Sequence, residues 1–318
     1  MSVFFIALIS LIGILLFAGC LAGLYFYNLA LDRHTDKGAA LGSLPPAKDR
    51  VTMEQGPRFL DATAHEDIYE TSFDGLKLHA IVVPQDTQNW VVIAHGYTGA
   101  ARGMGNIAKR FHEMGYSLLL PDARGHGQSE GNYIGMGWFD RLDIRMWINR
   151  ILAEHADAHI LLYGISMGGA TVMMAAGEPL PMQVKGMIED CGFSSVCEEM
   201  RHQLINVFHY PAYTVGFVLF FADFFTRLRA GYSLHDGEVC AQLKKATLPM
   251  LFLHGEKDRY VPCWMLDKVY ASAASRDKRK LSFPGAVHGG AAISDPDRYW
   301  AAVTAFARRV APLNRQTI

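Results

Sequence analysis

Ala158-His159-Ile160-Leu161-Leu162-Tyr163-Gly164-Ile165-Ser166-Met167-Gly168-Gly169 passes from a short apolar run directly into a glycine-rich turn. Within it, Gly164-Ile165-Ser166-Met167-Gly168 has the G-x-S-x-G spacing, with strand character before it and helical character after it. A serine on so sharp a turn needs neighbours without Cβ atoms two residues to either side. Its hydroxyl then stands clear of the backbone, where a carbonyl group can reach it. The stretch predicts a nucleophilic Ser166 at the end of a buried strand.

Around this elbow, strand and helix patterns alternate from Asp67 onward, which predicts a mostly parallel central sheet flanked by helices on both faces. Segments 68–72 and 76–83 flank an Asp74-Gly75 turn and read as a hairpin. Further strands are expected at 90–94, 116–120, 184–189, 249–254 and 280–283, with helices at 107–114, 138–155 and 296–310. Between Phe193 and Leu248 no sheet strand is expected. There, 213–228 is crowded with Phe217, Phe220, Phe221, Phe224 and Phe225. Asp223 and Arg227 interrupt this apolar run, so it reads as a helical lid over the site, at about 194–246, rather than a second membrane span.

A serine hydroxyl needs a base to take its proton and an acid to orient that base. Behind a nucleophile elbow these follow in chain order, Asp or Glu and then His. Asp258 stands just past the strand expected at 249–254, and His288 in the loop after the strand at 280–283. Ser166, Asp258 and His288 are therefore predicted to meet at the C-terminal edge of the sheet, where open α/β sheets bind ligands. The oxyanion hole is expected from the backbone N–H groups of Met167, after the nucleophile, and Tyr97, in His95-Gly96-Tyr97-Thr98-Gly99. His95 precedes the serine and ends a buried strand, so it is expected to fix this loop rather than to act as base.

The chain has 318 residues, half of them apolar, with a net charge of −1, enough for a large globular domain and without a basic stripe that would suit nucleic acid. Its five cysteines form no C-x-x-C pair and flank no histidine at metal spacing, so no metal site is expected, and no P-loop or G-x-G-x-x-G follows a strand, so no cofactor is expected. Cys191 and Cys197 are close enough in sequence to raise a disulfide, which a large domain does not require. From Val3 to Leu31 no charged residue occurs, and Tyr25 and Tyr27 stand near the end of the run. This predicts an uncleaved transmembrane anchor at 1–31, a linker and entry segment at 32–65 containing Pro45-Pro46 and Gly56-Pro57, and the main domain at 66–318. Arg33, Lys37, Lys48 and Arg50 follow the span and none precedes it. The expected location is a cell membrane, single-pass, with the positive-inside rule favouring a cytoplasmic domain.

With these residues in view, the chain resembles the α/β-hydrolase superfamily, in its bacterial serine esterase and peptidase-like branch (serine aminopeptidase S33-like). The resemblance covers most of 66–312. It rests on Ser72-Phe73-Asp74-Gly75-Leu76-Lys77-Leu78, His95-Gly96-Tyr97-Thr98-Gly99, Asp122-Ala123-Arg124-Gly125-His126-Gly127-Gln128-Ser129, the elbow, His254-Gly255-Glu256-Lys257-Asp258 and His288-Gly289. It implies the α/β-hydrolase fold with a lid between the sixth and seventh strands, and a non-catalytic, edge-shaping role for Arg124-Gly125-His126-Gly127. The N-terminal segment, which looks like that of membrane-tethered members, is expected to lie outside the hydrolase fold and to carry no information on substrate. Together these readings predict a serine hydrolase acting on a small-molecule carboxylic ester through an acyl-enzyme on Ser166. The Phe-rich lid suggests an apolar acyl or alcohol group. A peptidase, with Glu198-Glu199 at the lid entrance as amine partners, a thioesterase or an acyltransferase would use the same triad.

Overall fold

The structure, a computed structural model, describes residues 3–37 and 58–312. Pro45-Pro46, Gly56-Pro57, Lys48 and Arg50 of the expected linker lie outside the described residues.

Eight strands form one sheet in the order β1-β2-β4-β3-β5-β6-β7-β8. The strands are β1 (Glu66–Thr71), β2 (Lys77–Val83), β3 (Asn89–Ala94), β4 (Ser117–Pro121), β5 (His159–Ile165), β6 (Val184–Asp190), β7 (Met250–Gly255) and β8 (Lys278–Phe283). β1 and β2 pair antiparallel through the Asp74-Gly75 turn, and β2 pairs antiparallel with β4. From β4 to β8 every pairing is parallel. β3 and β4 are buried along their whole length, which is why they read as unbroken apolar runs. Alternation divides the core. Trp90, Val92, Ile160 and Leu162 pack on one face with Trp147 and Ile148, and Val91, Ile93, Leu161 and Tyr163 on the other with Phe111 and Tyr299.

Four helices cover the two faces: α2 (Gly105–Glu113), α3 (Asp140–Glu154), α4 (Met167–Ala175) and, closing the chain, α10 (Pro296–Val310). α10 starts at Pro296 because Asp295 accepts the Arg298 N–H and proline suits the first turn. Its buried face of Tyr299, Val303, Phe306 and Ala307 follows the helical period. Between β6 and β7, where the lid was expected, the chain forms α5 (Val196–Asn206), α6 (Ala212–Ala230) and α7 (Val239–Leu243). Two further helices, α8 (Trp264–Ser272) and the single turn α9 (Ala291–Ser294), flank β8.

α1 (Val3–Leu31) departs from the expectation that it would stand apart. Its first half is exposed, but Phe26, Tyr27 and Leu31 are buried like core residues. A Cβ at Gly19 would run into the Phe221 and Phe217 rings, and one at Gly23 into Phe221, so two glycines a helical turn apart let α1 press against α6. The successive pairs Gly19–Phe217, Gly23–Ala222 and Asn28–Arg229 mean that the two helices run in the same direction. Leu31 accepts the Ile134 N–H at 2.7 Å, and Arg33 donates to the carbonyls of Ser129, Gly131 and Gly127. The Lys37 ammonium donates to the carbonyls of Asn28 and Leu29 and so closes the helix end. Of the four cations that set the expected membrane orientation, Arg33 is thus engaged in fastening α1 to the domain and Lys37 in closing the end of α1.

Candidate active site

Ser166 sits between β5 and α4 at φ 57° and ψ −119°, a conformation that costs a residue with a side chain of order 1–3 kcal/mol. The turn closes because a Cβ at Gly164 would strike the Gly168 carbonyl, and one at Gly168 the Ala94 carbonyl. The Ser166 N–H donates to the Asp190 carbonyl at 2.7 Å and its own carbonyl accepts from Ala170, so the strained turn is held at both ends.

The three residues expected from chain order lie together. His288 Nε2 is 2.8 Å from Ser166 Oγ, and His288 Nδ1 is 2.7 Å from Asp258 Oδ2. The other Asp258 oxygen accepts the N–H groups of Tyr260 and Val261, each at 2.9 Å. Burial pushes the Asp258 carboxyl up. The charge of His288 and the hydrogen bonds from His254 and His288 outweigh that and hold it at about 2. An ionised carboxylate on Nδ1 places the ring proton there and leaves Nε2 free to accept from the serine. Tyr97 and Met167 border the same space as Ser166.

His95 behaves as a structural residue. Its Nδ1 is 2.8 Å from the Gly96 carbonyl and its Nε2 accepts the Ala123 N–H at 3.0 Å. Burial, with His126 alongside, lowers its pKa to about 4, so it stays neutral. Arg124 is fully buried, bound twice to Asp143 at 2.8 and 2.9 Å and to Asp74 at 2.8 Å, away from Ser166. None of the five cysteines is paired. Cys191, Asp258 and His288 offer a thiol, a carboxylate oxygen and a ring nitrogen within 4.8 Å of one another. Asp258 and His288 already share a hydrogen bond, and burial pushes the Cys191 thiol up, away from the thiolate a metal would bind.

Beside Ser166 opens a pocket of about 590 Å³, counting the space at its mouth. Its lining is mostly apolar; besides Ser166 and the tyrosines Tyr97 and Tyr260, its polar groups are those of Glu199 and Gln203. There Glu199 accepts from Gln203 Nε2 at 2.5 Å, leaving Glu199 Oε2 and Gln203 Oε1 buried without hydrogen-bond partners. Burial, against the Gln203 bond, raises Glu199 to about 8. Glu198, its neighbour in the expected acidic pair, turns away to Lys268 and Ser194.

Several pocket residues were not singled out in the sequence: Phe193, Phe208 and Tyr260, and from α1 Phe26, Leu29 and Ala30. Phe26 meets Phe208 edge-on with ring centres 6.5 Å apart, and Tyr97 Oη donates to the Ala30 carbonyl at 2.6 Å. The signal for α1 was present as Gly19-Cys20-Leu21-Ala22-Gly23, a G-x-x-x-G spacing that marks close helix packing.

The profile of the serine aminopeptidase S33 family matches residues 85–208 and 222–292, well over half of the chain. The uncharacterized protein YqkD of Bacillus subtilis is 30% identical over 192 residues, a match that spans 59% of this chain and 61% of that protein. A monoacylglycerol lipase of Mycolicibacterium smegmatis is 25% identical, covering 64% of this chain and 82% of the lipase. Among solved structures, the esterase Pf2001 of Pyrococcus furiosus superposes with a TM-score of 0.64 at 18% identity, over 78% of this chain and 94% of its own. That likeness establishes the α/β-hydrolase fold.

Proposed function

The chain belongs to the serine aminopeptidase S33 family, and from the geometry above we propose that it is a membrane-anchored serine hydrolase cleaving carboxylic esters with an apolar acyl group. Ser166 Oγ attacks the ester carbonyl carbon while His288 Nε2 takes its proton, and Asp258 steadies the imidazolium. The N–H groups of Tyr97 and Met167 stabilise the oxyanion. Collapse expels the alcohol, which takes the proton from His288, and water then releases the acid from Ser166 by the reverse proton route. The reading is carried by the 2.8 Å contact between Ser166 and His288 at the side of an apolar pocket.

The monoacylglycerol lipase relative supports ester over peptide chemistry. So does Glu199: held neutral near pH 7 by burial, it offers no standing negative charge to a peptide amine, and Glu198 is engaged elsewhere. Among the described residues, α1 is the one helix long and apolar enough to cross a membrane, by length and composition. α6 adds a second apolar surface beside it, since Tyr213, Phe220, Phe224 and Leu228 are 88, 69, 54 and 68% exposed along one face. Such a stripe suits contact with lipid. Replacing Phe220 and Phe224 by aspartate is expected to weaken flotation with liposomes, and unchanged flotation would count against that contact.

The test is hydrolysis of a p-nitrophenyl ester series by the full chain in detergent, beside Ser166→Ala. Ester turnover lost in the variant supports the reading. Turnover of aminoacyl naphthylamides in place of esters would move it to a peptidase. Activity surviving Ser166→Ala would overturn the mechanism.

A further inference from the structure

A helix that served only as a tether would need no fixed contact with the catalytic domain. α1 has many. It is seated on α6 through Gly19 and Gly23, joined to it by the Arg229 to Asn28 hydrogen bond at 3.0 Å, and bolted at its exit by Arg33 and by the Ile134 N–H on Leu31. Its end is also tied to the loop beside the nucleophile, through Tyr97 Oη on the Ala30 carbonyl. The exposure of α1 divides accordingly: Phe17 is 67% exposed and Phe26 only 3%. The buried end is not merely packed filler, because Phe26, Leu29 and Ala30 share a pocket with Ser166.

We propose that the last two turns of α1 are a substrate-binding element, in which Leu29 and Ala30, backed by Phe26, form the wall that limits the length of the acyl chain accepted beside Ser166. The inference builds on the ester reading and specifies the substrate end of the same site. Phe193, Met200, Phe208 and Val261 add further apolar wall, along which a hydrocarbon chain loses no hydrogen bonds, and the polar Glu199 and Gln203 occupy one patch of the lining. Leu29 and Ala30 are only half-buried, which leaves their pocket-facing surface available to a ligand. The family profile matches this chain from residue 85, so this wall lies outside the matched residues.

The experiment measures the rate at which alkyl fluorophosphonates of increasing chain length label Ser166 in the full chain in detergent micelles. Labelling needs only a reactive serine, so it reports on the wall whether or not esters are turned over. Leu29→Trp and the smaller Ala30→Leu are expected to slow the long-chain members about tenfold or more while short ones react as before. Leu29→Ala is expected to move the preference toward longer chains. Ile14→Trp, on the exposed half of the same helix, is expected to leave the profile unchanged. Unchanged profiles in Leu29→Trp, Ala30→Leu and Leu29→Ala, with Ser166 still reactive, would overturn the wall and leave the ester reading standing. Labelling that follows the wall while wild-type protein hydrolyses no ester would overturn the ester reading alone. A Ser166 that reacts with no chain length would overturn both.

Discussion

The pocket has two sides built on different principles. On one, Ser166, Asp258 and His288 follow three strands of a single sheet, and the hydrogen bonds between them fix their relative positions. On the other, α1 supplies Phe26, Leu29 and Ala30, and α6, which does not itself reach the pocket, holds α1 in place through glycine against phenylalanine. The first side is specified by residue chemistry at a few positions. The second is specified by the shape of two surfaces, which many side-chain combinations could reproduce. The difference teaches that reactivity and selectivity in this molecule can be altered separately.

The largest expected effect tests the chemical side alone. Asp258→Asn should keep the geometry but favour the wrong imidazole tautomer, lowering kcat on the order of 10⁴-fold. Fluorescence binding of a long-chain alcohol should be unaffected, and a parallel loss of binding would mean that the two sides are not separable. Gly23→Leu tests the other side. Its side chain must displace the backbone of α6 at Phe221, at a cost of about 1–3 kcal/mol read as a lower thermal midpoint, with long-chain esters losing more rate than acetate. Equal losses at every chain length would contradict the division.

A smaller effect concerns pH. Glu199 stays protonated in the folded protein up to about 8, whereas in the unfolded chain it ionises at the ordinary glutamate value near 4.3. A raised folded-state pKa contributes stability that is full below the unfolded value and lost as pH rises through the folded one. Glu189, raised by burial to about 8, and Asp190, raised by burial to about 6, act in the same direction. The thermal midpoint should therefore fall between pH 5 and pH 8, and Glu199→Gln should flatten part of that slope. A slope unaltered in the variant would assign it to the other buried carboxyls, Glu189, Asp190 and Asp143, the last also raised by burial, to about 7. The smallest effect is Tyr97→Phe, which removes the bond to Ala30 and is worth about 1 kcal/mol. It should slow long-chain esters by about fivefold, as read from kcat/KM.

The same division explains what was legible in the sequence. Strand positions, chain order and the meeting of Ser166, Asp258 and His288 follow from apolar runs and short motifs, because those are local signals. Asp223 and Arg227 argued for a lid helix rather than a second span; in the structure Asp223 accepts from Ser233, Leu234 and Arg227 and closes the turn after α6, while no residue of α6 lines the pocket. The phenylalanines were harder. Phe221 faces inward while Phe220 and Phe224 face out, and a helix apolar on both sides gives no period that separates core from open surface. Glu198 and Glu199 look alike in sequence, yet one meets Lys268 at the surface and the other enters the pocket, a difference of one residue's rotation on α5. The docking of α1 depended on Phe217 and Phe221, about 200 positions further along the chain, and no local pattern names such a partner.

Tyr97 grips the helix by a carbonyl, and a carbonyl is the same in every amino acid. A contact of that kind makes no demand on the side chain of residue 30, which is left to shape the pocket while the carbonyl carries the grip.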